Sequence, residues 1–252
     1  MGALNNKVAL VTGAGRGLGR ACAQIFAREG AQVVVADIRV EGAEETVALI
    51  KEAGGNAIAV TADISKSADV QRMVNAAVEN FGGLDCAVNN AVFDIGRHAL
   101  ADISEDDWNK SIAVNFSGVF LCMKYEIQAM LKRGGGSVVN IGSGNEFGCA
   151  PGLAWYLSAK HGLYGMTKVA AMDYAKKNIR VNAVGPGCMS TPAMAEALQR
   201  DPEHQAFVDR ICPTGKMAKP ENVAEAAVWL CSDAAAFVLG HTMVVDGGAG
   251  LV

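Results

Sequence analysis

Short apolar runs alternate along this chain with segments in which apolar residues recur every three or four positions. The runs Val8–Val11, Val33–Ala36, Ala57–Val60, Cys86–Val88, Val138–Ile141, Ile179–Val184 and Thr242–Val245 read as buried parallel strands. Between them Leu18–Glu29, Gly42–Ala53, Ser67–Asn80, Asp106–Arg133, Leu153–Lys177 and Asn222–Cys231 carry the spacing of amphipathic helices. Asp69, Ser104 and Pro220 stand where helix starts are expected. Repeated β–α units predict one parallel sheet with helices on both faces, the doubly wound α/β class, joined by right-handed crossovers.

A chain of 252 residues suits a single domain of this class, and no linker or fixed-period repeat divides it. One long stretch lacks a strand pattern. Gly185–Lys219 carries Pro186, Pro192, Pro202 and Pro213, and predicts an insertion over the site at about 188–219.

Composition narrows the partners. Charged residues make up 19% and the net charge is −4, with no basic run, so there is no electrostatic footprint for nucleic acid or an anionic membrane. No apolar run reaches membrane-spanning length. The start, Met1–Asn6, leads straight into a strand pattern and leaves no room for a signal peptide. Seven cysteines, at 22, 86, 122, 149, 188, 212 and 231, form no Cys-x-x-Cys pair. A cytoplasmic protein without disulfides and without a metal site is expected.

The first strand runs into TGAGRGLG, Thr12–Gly19. Gly13 allows a sharp turn, Gly17 lets backbone approach a pyrophosphate, and Gly19 lets the helix pack close to the sheet. The helix N-terminus offers free N–H groups to an anion. Gly15 sits inside this pattern as an extra glycine. Asp37 closes the second strand about twenty residues on, where a carboxylate accepts hydrogen bonds from ribose hydroxyls and repels a 2′-phosphate. That favours NAD over NADP. Arg16 and Arg39 argue the other way, because both could reach a phosphate; a solvated loop residue is the alternative for Arg39. Asp63, after the third strand, is either a partner for the adenine amino group or a turn or N-cap aspartate.

Tyr156 and Lys160 are four residues apart and so share a helix face. An ammonium beside a phenol favours phenolate and brings it toward use as a base at neutral pH. Ser143 lies thirteen positions before Tyr156. Together TGAGRGLG at 12–19, NNA at 89–91, VNFSGVF at 114–120, Ser143, YLSAK at 156–160, PGCMSTP at 186–192 and VDGG at 245–248 resemble the short-chain dehydrogenase/reductase family over nearly the whole chain.

The resemblance implies a Rossmann-type sheet of seven strands, a nicotinamide dinucleotide, and a catalytic tetrad of Asn115, Ser143, Tyr156 and Lys160. Tyr156 is the implied acid/base, with Ser143 holding the substrate oxygen and Lys160 also reaching the nicotinamide ribose. Asn115 is implied to bind a water that links Lys160 to solvent. On the same basis Asn90 falls on the adenosine side, Thr191 at the carboxamide, and Val184–Gly187 beside the nicotinamide ring. The expected cofactor contacts also include Leu18, Ile38, Ile64, Ala91, Pro186, Gly187 and Met189. One departure stands out: Val92 occupies a position where the family usually has glycine. A β-branched residue disfavours positive φ, so either the turn is built with negative φ or it is shifted.

Substrate walls are expected from Val92, Phe93, Ile95, Asn145, Glu146, Cys149, Trp155, Met189, Met194 and Leu198, a mostly apolar set. Glu146 could meet a substrate hydroxyl or amine, or face solvent as a loop charge. The segments 118–131 and 5–15 also resemble bacterial relatives acting on cyclic alcohols and diols, which implies an alicyclic secondary alcohol or its ketone as substrate. The alternatives are an NADPH-dependent ketoreductase of the 3-oxoacyl type and a non-catalytic dinucleotide-binding sensor. The family resemblance further implies a homotetramer through the long helices after the fourth and fifth strands.

Overall fold

The computed structural model describes residues 2–144, 150–190, 206, 210 and 212–251. All seven apolar runs form strands: β1 Val8–Thr12, β2 Gln32–Asp37, β3 Asn56–Thr61, β4 Cys86–Asn89, β5 Gly136–Ile141, β6 Ile179–Pro186 and β7 Thr242–Val245. They build one sheet in the order β3-β2-β1-β4-β5-β6-β7, and every neighbouring pair is parallel. The order reverses beside β1, the switch point at which open α/β sheets form a crevice at their carboxyl ends.

The helices are α1 Gly17–Arg28, α2 Val40–Glu52, α3 Ser67–Phe81, α4 Glu105–Ile112, α5 Val119–Arg133, α6 Ala154–Tyr174 and α7 Pro220–Cys231. Successive side chains of a strand point to opposite faces, and this divides the core in two. Ala9 and Val11 of β1 pack with Leu18, Cys22 and Phe26 of α1 and Val223 of α7. Val8 and Leu10 pack on the other face with Met73 of α3, Ile127 of α5 and Leu163 of α6.

Three local expectations are corrected. The single helix anticipated over Asp106–Arg133 is interrupted by a π-helical segment, Ala113–Gly118, between α4 and α5. Asn115 sits in that wider turn, where its amide pairs with the backbone of Phe93. Asp69 is not a cap: Lys66 holds the N-cap position of α3, and Asp69, in the first turn, accepts from the Asp63 N–H at 3.0 Å. Ser104 does cap α4, accepting from the Asp107 N–H, and Pro220 opens α7. Gly185 and Pro186 belong to β6 rather than to the strandless stretch. The stretch that follows is joined near its two ends by a parallel bridge between Met189 and Ala218.

Candidate active site

The residues anticipated for the cofactor gather along the carboxyl ends of the strands. Thr12 ends β1, and its hydroxyl accepts from the N–H groups of Asn90 and Ala91 after β4, at 3.0 and 3.2 Å. Asn90 donates its side-chain amide to the carbonyls of Thr12 and Gly13, at 3.0 and 3.1 Å. The side chain expected on the adenosine side therefore clamps the glycine turn.

Gly13 and Gly17 have φ of +62° and +55°, a region L side chains rarely enter. A Cβ on Gly17 would meet nothing within 4 Å, so this backbone faces open space. A Cβ on Gly19 would collide with the Gly13 carbonyl. Gly15, taken from the sequence as an extra, is needed as well: a Cβ there would lie 2.8 Å from Asp37 Oδ2. Arg16 is the exposed N-cap of α1 and makes no side-chain cap, so the helix N-terminus keeps its N–H groups for an anion.

Asp37 is buried at the end of β2. Its carboxylate accepts from the Gly15 N–H at 2.8 Å and the Arg39 N–H at 2.9 Å, with Arg39 Nε 3.9 Å away. The neighbouring Ile38 is exposed. After β3, Asp63 accepts from both the N–H and the hydroxyl of Ser65, and Lys66 lies 3.3 Å from it. Partial burial raises its pKa, but the Ser65 bonds and Lys66 outweigh it, and the carboxyl stays below its ordinary value. These are the contacts of a turn aspartate. Ile64 beside it is buried. These glycines, the open helix end and the carboxylate fit a dinucleotide.

Sequence reasoning missed the scaffold behind this loop. Arg20 donates to the Gly15 carbonyl at 2.5 Å and pairs with Glu45, while Thr46 donates to the Ala14 carbonyl at 2.9 Å. A basic residue in the first turn of α1 was the available signal, but it looks like any solvated helix charge.

At the other end of the crevice, α6 lies along the end of β5. Ser143 lies beside the Tyr156 phenol and lowers its pKa. Lys160 is buried, its Nζ lies 5.6 Å from the centre of the Tyr156 ring, and it donates to the Ile141 carbonyl at 2.6 Å. Burial brings Lys160 down to about 8. The expected acid-shifted tyrosine is not found in the chain alone. Burial is the largest influence and raises the Tyr156 pKa, Ser143 lowers it, and Asp94 raises it, with a net shift upward. The ammonium sits over the ring face rather than at the hydroxyl, which leaves burial dominant.

Asn115 is fully buried, and its side chain is committed. Oδ1 accepts from the Phe93 N–H at 2.9 Å, and Nδ2 donates to the Phe93 carbonyl and to Ser111 Oγ at 2.8 and 3.0 Å. It fastens the loop after β4 to the π segment. Val92 in this loop has a negative φ and is 54% exposed. The turn is therefore built without the glycine conformation, which resolves the departure at that position. Phe93 also stays partly exposed.

Trp155 is only 2% exposed; its indole N–H donates to the Gly96 carbonyl at 2.9 Å, and its ring packs edge-on to Tyr156 at 5.5 Å. It buttresses the loop and is not an open substrate wall. At the end of β6, the Pro186 carbonyl accepts from the Gly144 N–H at 2.6 Å, and just past it Gly187 N–H donates to the Val245 carbonyl. Asn145, Glu146, Cys149, Thr191, Met194 and Leu198 lie outside the described residues. Among the described residues no group of three or more His, Cys, Asp or Glu side chains could hold a metal, and no helix is long and apolar enough to cross a membrane.

A doubly wound sheet with a dinucleotide-shaped turn at its switch point and a Ser–Tyr–Lys group at its far end defines a nicotinamide-dependent oxidoreductase. A family model described as enoyl-(acyl carrier protein) reductase matches residues 13–250. The chain is 42% identical over 249 residues to a 2,5-dichloro-2,5-cyclohexadiene-1,4-diol dehydrogenase of Sphingobium indicum, covering 98% of both chains. It is 41% identical over 243 residues to a cyclohexanol dehydrogenase of Acinetobacter sp., covering 96% of this chain and 94% of that one. The crystal structure of a putative short-chain alcohol dehydrogenase from Sinorhizobium meliloti superposes with a TM-score of 0.92 at 37% identity, covering 98% of this chain and 97% of that one. The chain belongs to the short-chain dehydrogenase/reductase family and is an oxidoreductase acting on CH–OH groups.

Proposed function

We propose that this chain is an NAD-dependent dehydrogenase of small alicyclic secondary alcohols or diols, working reversibly on the corresponding ketones. The observation that carries the reading is Lys160, buried with its Nζ 5.6 Å from the centre of the Tyr156 ring and with Ser143 beside the phenol, at the carboxyl end of a sheet whose opposite half carries the glycine turn. The relatives named for a cyclic diol and for cyclohexanol support the substrate class.

The bound dinucleotide supplies the hydride acceptor or donor. Gly13, Gly17, Gly19 and the N-terminus of α1 would hold its pyrophosphate, and Asp37 the adenosine ribose. Arg16, Leu18, Ile38, Asp63, Ile64, Asn90, Ala91, Pro186, Gly187, Met189 and Thr191 complete the proposed cofactor contacts. Asp37 favours NAD: its carboxylate is held beside Gly15, with Arg39 Nε 3.9 Å away. Tyr156 takes the hydroxyl proton in oxidation and returns it in reduction. Ser143 orients the substrate oxygen and supports the phenolate. Lys160 positions the nicotinamide ribose, and its charge stabilises the phenolate as it forms. Asn115 holds Phe93 and is proposed to bind the water that links Lys160 to solvent. Val92, Asn145, Glu146, Cys149 and Met194 stay as proposed substrate contacts.

We place the protein in the cytoplasm, because its six described cysteines are free thiols. A homotetramer is supported by apolar side chains left exposed on α5 (Phe120, Leu131) and α6 (Val169, Met172). The deciding experiment is NADH formation over a panel of cyclic and acyclic secondary alcohols, cyclohexanol among them, repeated with NADP. Turnover of cyclic alcohols with NAD, abolished in Tyr156→Phe while NAD still binds, is the expected result. A strong NADP preference would favour the ketoreductase reading. NAD binding without turnover of any alcohol would favour the sensor reading.

A further inference from the structure

β4 ends at Asn89, opposite Asn140 of β5. Past this point β5 continues to pair with β6: Gly142 N–H donates to Val184 and Gly144 N–H to Pro186, at 2.7 and 2.6 Å. Backbone groups of a parallel strand alternate between its two sides. Ser143, between those glycines, therefore turns its N–H and C=O toward the side that β4 has left.

One phenol takes both groups. Ser143 N–H donates to Tyr164 Oη at 2.7 Å, and the Tyr164 hydroxyl donates to the Ser143 carbonyl at 2.5 Å. Tyr164 is buried on α6, eight residues beyond Tyr156. Gly142 leaves the slot for it, since a Cβ there would run into the Tyr164 hydroxyl and ring. Lys160 treats the preceding odd-numbered position in the same way, by donating to Ile141. The face of α6 thus replaces the missing strand edge. An apolar side chain at 164 would fill the core equally well but deprive two buried backbone groups of this partner.

We infer that Tyr164 is a positioning residue of the reaction: its hydroxyl fixes the backbone of Ser143 and so aims the serine hydroxyl at Tyr156. The inference rests on the role of Ser143 proposed above. It is tested with Tyr164→Phe, Ser143→Ala and the double variant, using NAD and cyclohexanol or whichever alcohol of the panel reduces NAD fastest. Misplacing a reacting group by a fraction of an ångström to an ångström costs about 10- to 100-fold in rate.

Tyr164→Phe should lose kcat by about that factor, keep the KM for NAD within about twofold, and move the rising limb of its pH profile upward. The double variant should be no slower than Ser143→Ala alone. Parental kcat and pH limb in Tyr164→Phe, or losses that multiply in the double variant, would overturn the inference. Parental turnover in Ser143→Ala would instead sink the assigned role of serine. If Tyr164→Phe does not fold, amide hydrogen exchange in the unaltered protein decides: protection at Ser143 supports the clamp, and exchange at the rate of an exposed loop amide refutes it.

Discussion

Ser143 lies beside the Tyr156 phenol, and its influence is what opposes burial and Asp94 in setting the tyrosine's acidity. For alcohol oxidation the base form of Tyr156 is required, so kcat/KM rises with pH along a limb set by that group. Ser143→Ala removes the lowering influence and should move the limb to higher pH. Asp94→Asn removes a negative charge and should move it to lower pH. Measured pH profiles in which both variants shift the same way would contradict this account.

Lys160 is held near 8 by burial, below the ordinary lysine value, so its ammonium is lost as pH rises through that value. Affinity for NAD, titrated by nucleotide fluorescence, should weaken above about pH 8 if the ammonium holds the nicotinamide ribose. An affinity unchanged up to pH 10 would remove Lys160 from the cofactor site.

Asp37 serves two masters, because the carboxylate proposed to favour NAD also accepts from Gly15 and Arg39. Asp37→Ala should reduce the ratio of kcat/KM with NAD to that with NADP by about tenfold or more, the worth of a hydrogen bond to a charged group. It should also lower the thermal midpoint, since the Gly15 amide loses its partner. An unchanged ratio would mean that the ribose carboxylate lies elsewhere.

Glu126 of α5 is fully buried, accepts from Asn89 Nδ2 at 3.0 Å, and is raised by burial to about 7, with the Asn89 bond pulling the other way. Its second oxygen and Asn89 Oδ1 have no partner among the described residues. The folded state therefore holds a proton that the unfolded chain gives up near 4.5. Stability from this group is present below pH 4.5 and falls as pH rises to 7, by on the order of 3 kcal/mol. Glu126→Gln keeps an acceptor for Asn89 and cannot ionise. Denaturant unfolding should show the variant gaining on the parent between pH 5 and pH 8, and a constant difference would refute the assignment.

The strands were legible because burial on both faces leaves long runs of Val, Ile and Ala, and the glycine turn and Tyr156–Lys160 were legible because their spacing is local. What escaped was set by contacts between distant segments. Gly15 is glycine because Asp37, far along the chain, crosses it. Trp155 is a buttress because Gly96 offers it a carbonyl. Tyr164 looks like one more apolar position of α6 until the end of β4 exposes Ser143. The bonds of Asn115 to Phe93 could not be read from a helix pattern that gave no hint of a π segment.

That segment is a slip in phase. Between Ala113 and Gly118 the chain carries a wider turn than a regular helix, so α4 and α5 are one rod wound out of step with itself. Each α-helical residue turns the rod by about 100°. Deleting one residue from 113–118 would restore a uniform winding and rotate all that follows relative to α4. Glu126 would swing away from Asn89, or Asn115 from Phe93, since one straight helix cannot satisfy both. The irregular turn lets a single rod serve the buried polar core at one end and the loop after β4 at the other.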